Sequence, residues 1–307
     1  MEKSVLGKSG LHASRIGLGC VTFGREIDEQ TSFRIMDYAV AQAINLFDTA
    51  EGYGNGESER IVGRWLRDRG CRDRIILQTK VKPPFTLKHI QQALSGSLGR
   101  LEVDYLDIYL LHEFDRSIPI EEALYAMTLA IGSGCIRVAG CSNFKLGQLS
   151  AAERIAEERG YARFMVIQPV YNLLAREIES GLLQYCKENK IAVVSYSPLA
   201  AGFLTGKYAH SMRTAPQGSR FSLVPGHRDL YFSPRNFALL EKLRRIADDN
   251  GTTMSRLALG WVLHNSSLDS ILVGATSVSH VRNAIEALQS ELDSGLAKEM
   301  DRWDVSE

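Results

Sequence analysis

Eight short apolar runs recur along this 307-residue chain, and segments of helical period separate them. The runs are IGLG (16–19), INLFD (44–48), IILQT (75–79), LDIYLLH (106–112), IRVAGCS (136–142), FMVIQP (164–169), IAVVSYS (191–197) and SILVG (270–274). They are apolar throughout, as strands covered on both faces must be. Helix-like patterns lie near 31–43, 58–68, 86–101, 120–132, 146–159, 177–189, 253–264 and 279–290. Eight strands alternating with helices predict an α/β fold of the closed (β/α)8 TIM barrel type. An open doubly wound sheet is the competing architecture. It fails on the first turn, where CVTFGRE follows IGLG and no GxGxxG opens a helix. Two segments stand outside the repeat. Residues 4–13 read as an N-terminal β-hairpin around Gly7–Gly10, and 201–252 read as a long insertion between the seventh and eighth strands. The insertion carries a helical pattern from Pro234 to Asp249, and excursions of this length commonly cover a cofactor or substrate. With no shift of composition along the chain, 1–307 reads as a single domain.

Charge and cysteines narrow the function. There are 36 Lys+Arg against 36 Asp+Glu and no basic run interleaved with aromatics, so neither nucleic acid nor an anionic membrane is expected as a partner. The five cysteines (20, 71, 135, 141, 186) are odd in number, scattered and without a CxxC pair. That excludes a disulfide framework or zinc site from the expectation and fits a reducing, cytoplasmic setting. The N-terminus has no signal-like apolar core, and no run approaches the roughly 20 residues a spanning helix needs.

In a (β/α)8 barrel the C-terminal strand ends meet over one mouth, where active sites are built. The second strand ends in Asp48, with Tyr53 five residues on; Lys80 follows the third strand and His112 ends the fourth. Ser142-Asn143, Gln168, and Ser195 with Ser197 occupy the same place on later strands. Each alone has an ordinary reading: a turn cap, a loop aromatic, a solvated flank, a core histidine. Together they make chemical sense. A tyrosine near pH ~10 is a poor acid at neutrality, and a lysine ammonium beside it is expected to lower its pKa. A carboxylate would hold that lysine charged, and a histidine would orient a carbonyl oxygen. Such a set gives a proton to a carbonyl oxygen while a hydride, as from a nicotinamide, attacks the carbon.

The stretch FDTAEGYGNGESE (47–59) carries two of these residues among three glycines and four carboxylates. Glu57 and Glu59 read as helix-start and surface charges that suit the helix dipole. A glycosidase would need carboxylates on opposite walls, a serine hydrolase a GxSxG elbow, and a metal site clustered histidines. None of these is present in the sequence, and no metal is expected.

The motifs GLGCVTFG (17–24), NLFDTAEGYGNGESERIVGRWL (45–66), QTKV (78–81), DIYLLHEFD (107–115), GCIRVAGCSNF (134–144), VIQPVYNLLARE (166–177), VVSYSPLAAGFLTGKY (193–208) and ILVGATS (271–277) run in order along nearly the whole chain. In these the chain resembles the aldo-keto reductase family, in its bacterial type with a short C-terminal tail. The resemblance implies a (β/α)8 barrel with a hairpin capping its bottom, and NADP(H)-dependent interconversion of carbonyls and alcohols. It implies Tyr53 as proton donor, Lys80 and Asp48 as its tuning pair and His112 as the carbonyl-orienting partner. It also implies Ser142, Asn143 and Gln168 at the nicotinamide carboxamide and Tyr196 against the ring. Ser197, Leu199, Gly202, Leu204, Lys207 and Arg220 are implied at the pyrophosphate and sugar, and Gly274, Thr276 and Ser277 at the adenosine end. The chain departs from the family where an asparagine would contact adenine: Ala284 stands there, with His280 or Asn283 as substitutes. No arginine stands at 276–277 to claim a 2′-phosphate, so NAD(H) is the alternative to NADP(H). Phe23, Arg25, Phe85 and Phe114 are the expected substrate-pocket residues, for a small aldehyde or ketone such as a sugar or deoxysugar. Two further readings accompany the reductase: a nicotinamide-binding regulatory subunit of the kind the family contains, and a dehydrogenase working in the oxidative direction.

Overall fold

The computed structural model describes residues 1–209, 216, 217, 220–224, 226–290 and 292–303. Within the 201–252 insertion, residues 210–215, 218, 219 and 225 therefore lie outside the described residues. The chain opens with an antiparallel hairpin, β1 (Lys3–Val5) and β2 (His12–Ser14), paired Lys3 to Ser14. Then come β3 (Ile16–Gly19), α1 (Glu29–Ala41), β4 (Leu46–Asp48), α2 (Glu57–Arg69), β5 (Ile76–Val81), α3 (Leu87–Leu101), β6 (Leu106–Leu111) and α4 (Ile120–Gly132). They continue with β7 (Ile136–Ser142), α5 (Leu146–Arg159), β8 (Val166–Gln168), α6 (Leu182–Asn189) and β9 (Ala192–Ser195). The last part holds α7 (Arg220–Leu223), α8 (Gly226–Tyr231), α9 (Pro234–Asp249), α10 (Met254–His264), β10 (Ser270–Gly274), α11 (Val278–Gln289) and α12 (Ser294–Asp301). Strands β3 to β10 pair in parallel in chain order, and β10 pairs back onto β3. The result is the closed (β/α)8 barrel with an N-terminal hairpin that the sequence pattern predicts.

Two compact units make up the chain. The first, Met1–Pro169, Ile178–Tyr196 and Ser267–Val281, contains the hairpin, all eight barrel strands and α1–α6. Its core includes Leu46, Ile76, Ile108, Leu110, Val138, Val166, Val194 and Leu272 from the strands, together with Leu6 and Ala13 of the hairpin. The hairpin is tied to the start of β4: Asn45 accepts from the Ser14 N–H at 2.8 Å and donates to the His12 carbonyl at 2.8 Å. The second unit, Val170–Glu177, Ser197–Ser266 and Arg282–Glu307, packs an aromatic cluster in which Phe203 meets Tyr208, Tyr231, Phe232 and Phe237.

Most element edges shift for local reasons. The run 44–48 becomes strand only at Leu46; the Asn45 N–H is turned to Ser14 Oγ of the hairpin at 3.1 Å, while its carbonyl still accepts from the Ile76 N–H at 2.7 Å. The run 164–169 shortens to Val166–Gln168, since Pro169 has no N–H to give a ladder. The pattern 177–189 splits into a 3-10 turn at Glu177–Glu179 and an α-helix that begins at Leu182, after Gly181 at φ 97°. The run 75–79 instead extends to Val81, which draws Lys80 into the strand rather than leaving it as a flank. The final helix α12 was not expected. Among the described residues no helix is long and apolar enough to cross a membrane.

Helices α2 and α3 cross at a close approach. Gly63, inside α2, lies where an added Cβ would stand 2.6 Å from the Leu101 carbonyl carbon and 2.7 Å from the Arg100 carbonyl oxygen. Glycine costs a helix about 1 kcal/mol relative to alanine, and the passing backbone of α3 explains its presence. Gly63→Ala should therefore lower stability by about 1–3 kcal/mol despite its better helix propensity. Urea unfolding checks this, and a neutral or stabilising result would show that α3 has room to move.

Candidate active site

Alternation along β5 turns Gln78 and Lys80 to the same face. Both side chains meet Asp48 from the end of β4. Lys80 is 0 % exposed and Asp48 3 % exposed. The Lys80 ammonium donates to Asp48 Oδ1 at 2.6 Å and Oδ2 at 2.7 Å, and to the Thr49 carbonyl at 2.9 Å. Asp48 Oδ1 also accepts from Gln78 Nε2 at 2.6 Å and from Gln168 Nε2 at 3.0 Å. The buried ion pair is thus satisfied on both sides, as such a pair must be.

Tyr53 reaches this pair from the loop after β4. Its N–H donates to the Ala50 carbonyl at 3.0 Å, and Gly54, Asn55 and Gly56 follow in the left-handed region before α2 begins. The Lys80 ammonium lies 3.2 Å from the Tyr53 hydroxyl. A lysine ammonium only donates, so the phenol oxygen accepts here and its own proton stays available to another group. His112, just after β6, sets its ring 5.8 Å from that of Tyr53 at 79°. Its N–H donates to the Val81 carbonyl at 2.9 Å, while its buried ring Nδ1 has no hydrogen-bond partner among the described residues.

Burial pushes the Tyr53 phenol above its ordinary pKa; Lys80 opposes this and Asp48 adds to it. The lowering expected from Lys80 alone is thus overturned in direction, because desolvation outweighs it and Asp48 offsets the ammonium's charge. Burial also works against the charge of Lys80, yet Asp48 and then Tyr53 outweigh it and hold the ammonium above its ordinary range. Burial, followed by the charges of Lys80 and Lys82, lowers His112 to about 3. The imidazole is therefore neutral across the working pH range.

The later strand ends extend the constellation. Ser142 Oγ donates to the Gln168 carbonyl at 2.7 Å. Asn143, at φ 59°, donates to the His112 carbonyl at 3.0 Å and to Ser142 Oγ at 3.1 Å, and accepts from the Tyr196 hydroxyl at 2.8 Å. Ser142, Asn143, Gln168, Tyr196 and His112 are thus connected through these bonds. At the end of β10, Gly274, Thr276 and His280 are exposed, and the Thr276 N–H donates to His280 Nδ1 at 3.3 Å. Ser277 Oγ lies 2.7 Å from Ser279 Oγ.

In the second unit, Ser197, Ala200, Ala201 and Gly202 all have positive φ, and the Ala200 and Gly202 N–H groups are donated to the Ser197 and Leu199 carbonyls at 2.9 Å. The Lys207 ammonium stands close enough that a Cβ on Gly202 would lie 3.3 Å from it. Burial lowers its pKa. Among the described residues no carboxylate pairs with it. Leu199 is half-buried, Leu204 is buried with its N–H donated to the Leu199 carbonyl, and Arg220 is half-buried at the start of α7. On α11, Ala284 is fully buried while Asn283 is exposed, so Asn283 and His280 are the residues presented there. These features fit a ligand with phosphate groups.

The expected substrate residues divide. Phe23 and Phe85 are 0 % and 1 % exposed and lie within the core. Arg25 binds Glu26 at 2.7 and 2.6 Å, and Phe114 packs edge-on against Phe144 at 5.2 Å. Sequence reading missed Gln78, although the period of two from Lys80 marked it. It also took Glu59 for a surface charge. Glu59 is fully buried, accepting from the Thr79 hydroxyl at 2.6 Å and from Arg100 at 2.7 Å, and so ties α2 to β5 and α3. Among the described residues no three His, Cys, Asp or Glu side chains gather as a metal cluster.

The neutral state of His112 has a pH signature. Its folded pKa, about 3, lies below the unfolded value of 6.5. As pH falls below 6.5 the unfolded chain takes up a proton that the native state refuses until about pH 3, so stability declines on that side and is flat above it. Between pH 7 and 5 the wild type should lose about 1–2 kcal/mol more than His112→Gln in urea titrations. Equal losses would mean that His112 titrates normally.

Comparison with known proteins agrees with this geometry. The model of the Aldo/keto reductase family matches residues 15–305. The chain is 34% identical to the uncharacterized oxidoreductase YrpG of Bacillus subtilis (strain 168), over 97% of this chain and 94% of that protein. It is 34% identical to the aldo-keto reductase YhdN of the same organism, over 100% of this chain and 93% of that protein. It is also 33% identical to a probable voltage-gated potassium channel subunit beta of Arabidopsis thaliana, over 94% of this chain and 91% of that protein.

Proposed function

Because this chain belongs to the aldo/keto reductase family, we propose that it is an NADP(H)-dependent oxidoreductase that reduces an aldehyde or ketone to the alcohol. The observation that carries this reading is the convergence of Lys80, Asp48 and Tyr53 within hydrogen-bond reach beside a neutral His112. A nicotinamide held at this site would supply hydride chemistry at the carbonyl carbon. The chain's own residues handle the oxygen. Tyr53 delivers its proton to it, and the phenol's raised pKa is no obstacle, since an alkoxide is far more basic still. Lys80, already donating to the Tyr53 oxygen, stabilises the phenolate left behind. Asp48 with Gln78 and Gln168 keeps that ammonium fixed. Neutral His112 orients the carbonyl oxygen by hydrogen bonding, which an imidazolium repelled by Lys80 and Lys82 would do poorly.

Ser142, Asn143, Gln168 and Tyr196 are the residues assigned to the nicotinamide. Ser197, Leu199, Gly202, Leu204, Lys207 and Arg220 are assigned to the sugar and phosphates, and Gly274, Thr276, Ser277, His280 and Asn283 to the adenosine end. Lys207, with no carboxylate partner among the described residues, supports a phosphate-bearing cofactor. A second reading, a nicotinamide-binding regulatory subunit, draws on the likeness to the plant channel subunit. The complete proton-donor set favours the enzyme. Tyr53→Phe should cut kcat by at least about 100-fold while NADPH still quenches protein fluorescence on binding. Undiminished turnover would sink the proton-donor assignment, and quenching by NADH alone would assign NAD(H) instead.

A further inference from the structure

Lys82 has no part in the proton-donor set, yet it stands beside it. The alternation that sets Gln78 and Lys80 on one face of β5 gives Lys82 the same side one step past the strand end. Its backbone is fixed there: its N–H donates to Glu51 Oε1 at 2.7 Å, and the His89 ring Nε2 lies 3.1 Å from its carbonyl. Its side chain folds over the residue preceding Tyr53. A Cβ placed on Gly52 would lie 2.6 Å from the Lys82 ammonium. Any larger residue at 52 would displace that ammonium.

The charges around it are spoken for. Lys80 is neutralised by Asp48, and Arg25 is held by Glu26. Among the described residues no carboxylate pairs with the Lys82 ammonium, and Glu51 Oε1 is engaged by the Lys82 backbone. The charge of Lys82 is nevertheless felt at His112, alongside that of Lys80. Lys82 is exposed, yet its side chain closes on Gly52 rather than extending away from the site.

We propose that Lys82 is a specificity-determining residue whose ammonium selects carbonyl substrates bearing an anionic group, a carboxylate or a phosphate, a few bonds from the carbonyl. This rests on the reductase reading and names the substrate class of that site. The residue supplies a charge-assisted hydrogen bond to the anion, beside Lys80 and Arg25, which Asp48 and Glu26 already pair. Sugar phosphates and oxo acids belong to the class; neutral sugars and simple alkanals do not.

The test compares kcat/KM with NADPH for two matched pairs: succinic semialdehyde against butanal, and glyceraldehyde 3-phosphate against glyceraldehyde. The full-length wild type, Lys82→Met and Lys82→Arg are measured on the same preparations. A loss of fold or of catalysis in a variant divides out of the anionic-to-neutral ratio. The wild type should prefer the anionic member in at least one pair. That ratio should fall about tenfold in Lys82→Met and recover most of the way in Lys82→Arg. A response in the first pair alone assigns carboxylates, in the second alone phosphates, and in both the shared anion. Ratios that Lys82→Met leaves unmoved while the aldehydes are still reduced would overturn the inference and leave the reductase standing. Absence of turnover with all four aldehydes would overturn the reductase reading and this inference with it.

Discussion

The buried pair between Lys80 and Asp48 sets the terms for everything at the barrel mouth. Removing two charges from water costs several kcal/mol per ion, and attraction between them repays it only when every remaining donor and acceptor is used. Here the ammonium spends its protons on Asp48, the Thr49 carbonyl and the Tyr53 oxygen. The carboxylate takes carboxamide protons from Gln78 and Gln168 as well. No single segment of chain could assemble these groups. β4 brings Asp48, β5 brings Gln78 and Lys80, and β8 brings Gln168 to a common point, and only closure of the sheet makes β8 converge with β4.

Much of this was legible from sequence because it follows from period. Apolar runs separated by helical patterns gave the strand count, and the barrel then placed Asp48, Lys80, His112 and Gln168 at one end. What could not be read was depth. Lys80 looked like a residue beyond a strand, and it is buried within one, because β5 runs two residues past its apolar run. Glu59 looked like a first-turn carboxylate on a helix surface. Its burial depends on Thr79 and Arg100, residues 20 and 41 positions away, and no local pattern reports such a meeting. The burial of Phe23 and Phe85 went unread for a related reason: an aromatic near a strand end points inward or outward according to packing that sequence does not display.

Depth also reverses an electrostatic inference. A lysine beside a tyrosine lowers its pKa when the lysine's charge acts alone. At this site Asp48 offsets that charge, and burial penalises the phenolate, so the phenol is held protonated. The same burial removes the charge from His112. The two rings that face each other are thus both held neutral, as the proposed roles of proton donor and hydrogen-bonding guide require. A polar site in which the resting charges cancel responds strongly to any new charge that forms there, because little else screens it.

That sensitivity bears on where a substrate's own charge can sit. An anion placed against Tyr53 would oppose formation of the phenolate, so a charged substrate must keep its anionic group away from the hydroxyl. Lys82 is displaced from the reacting groups toward Gly52 and lies outside the Lys80–Asp48 pair. In the role proposed for it, its position would separate recognition of charge from transfer of the proton. Cancelled charge at the reacting centre and an uncancelled ammonium at its edge are complementary features: the first lets a small developing charge be stabilised, and the second attracts a permanent one without disturbing it.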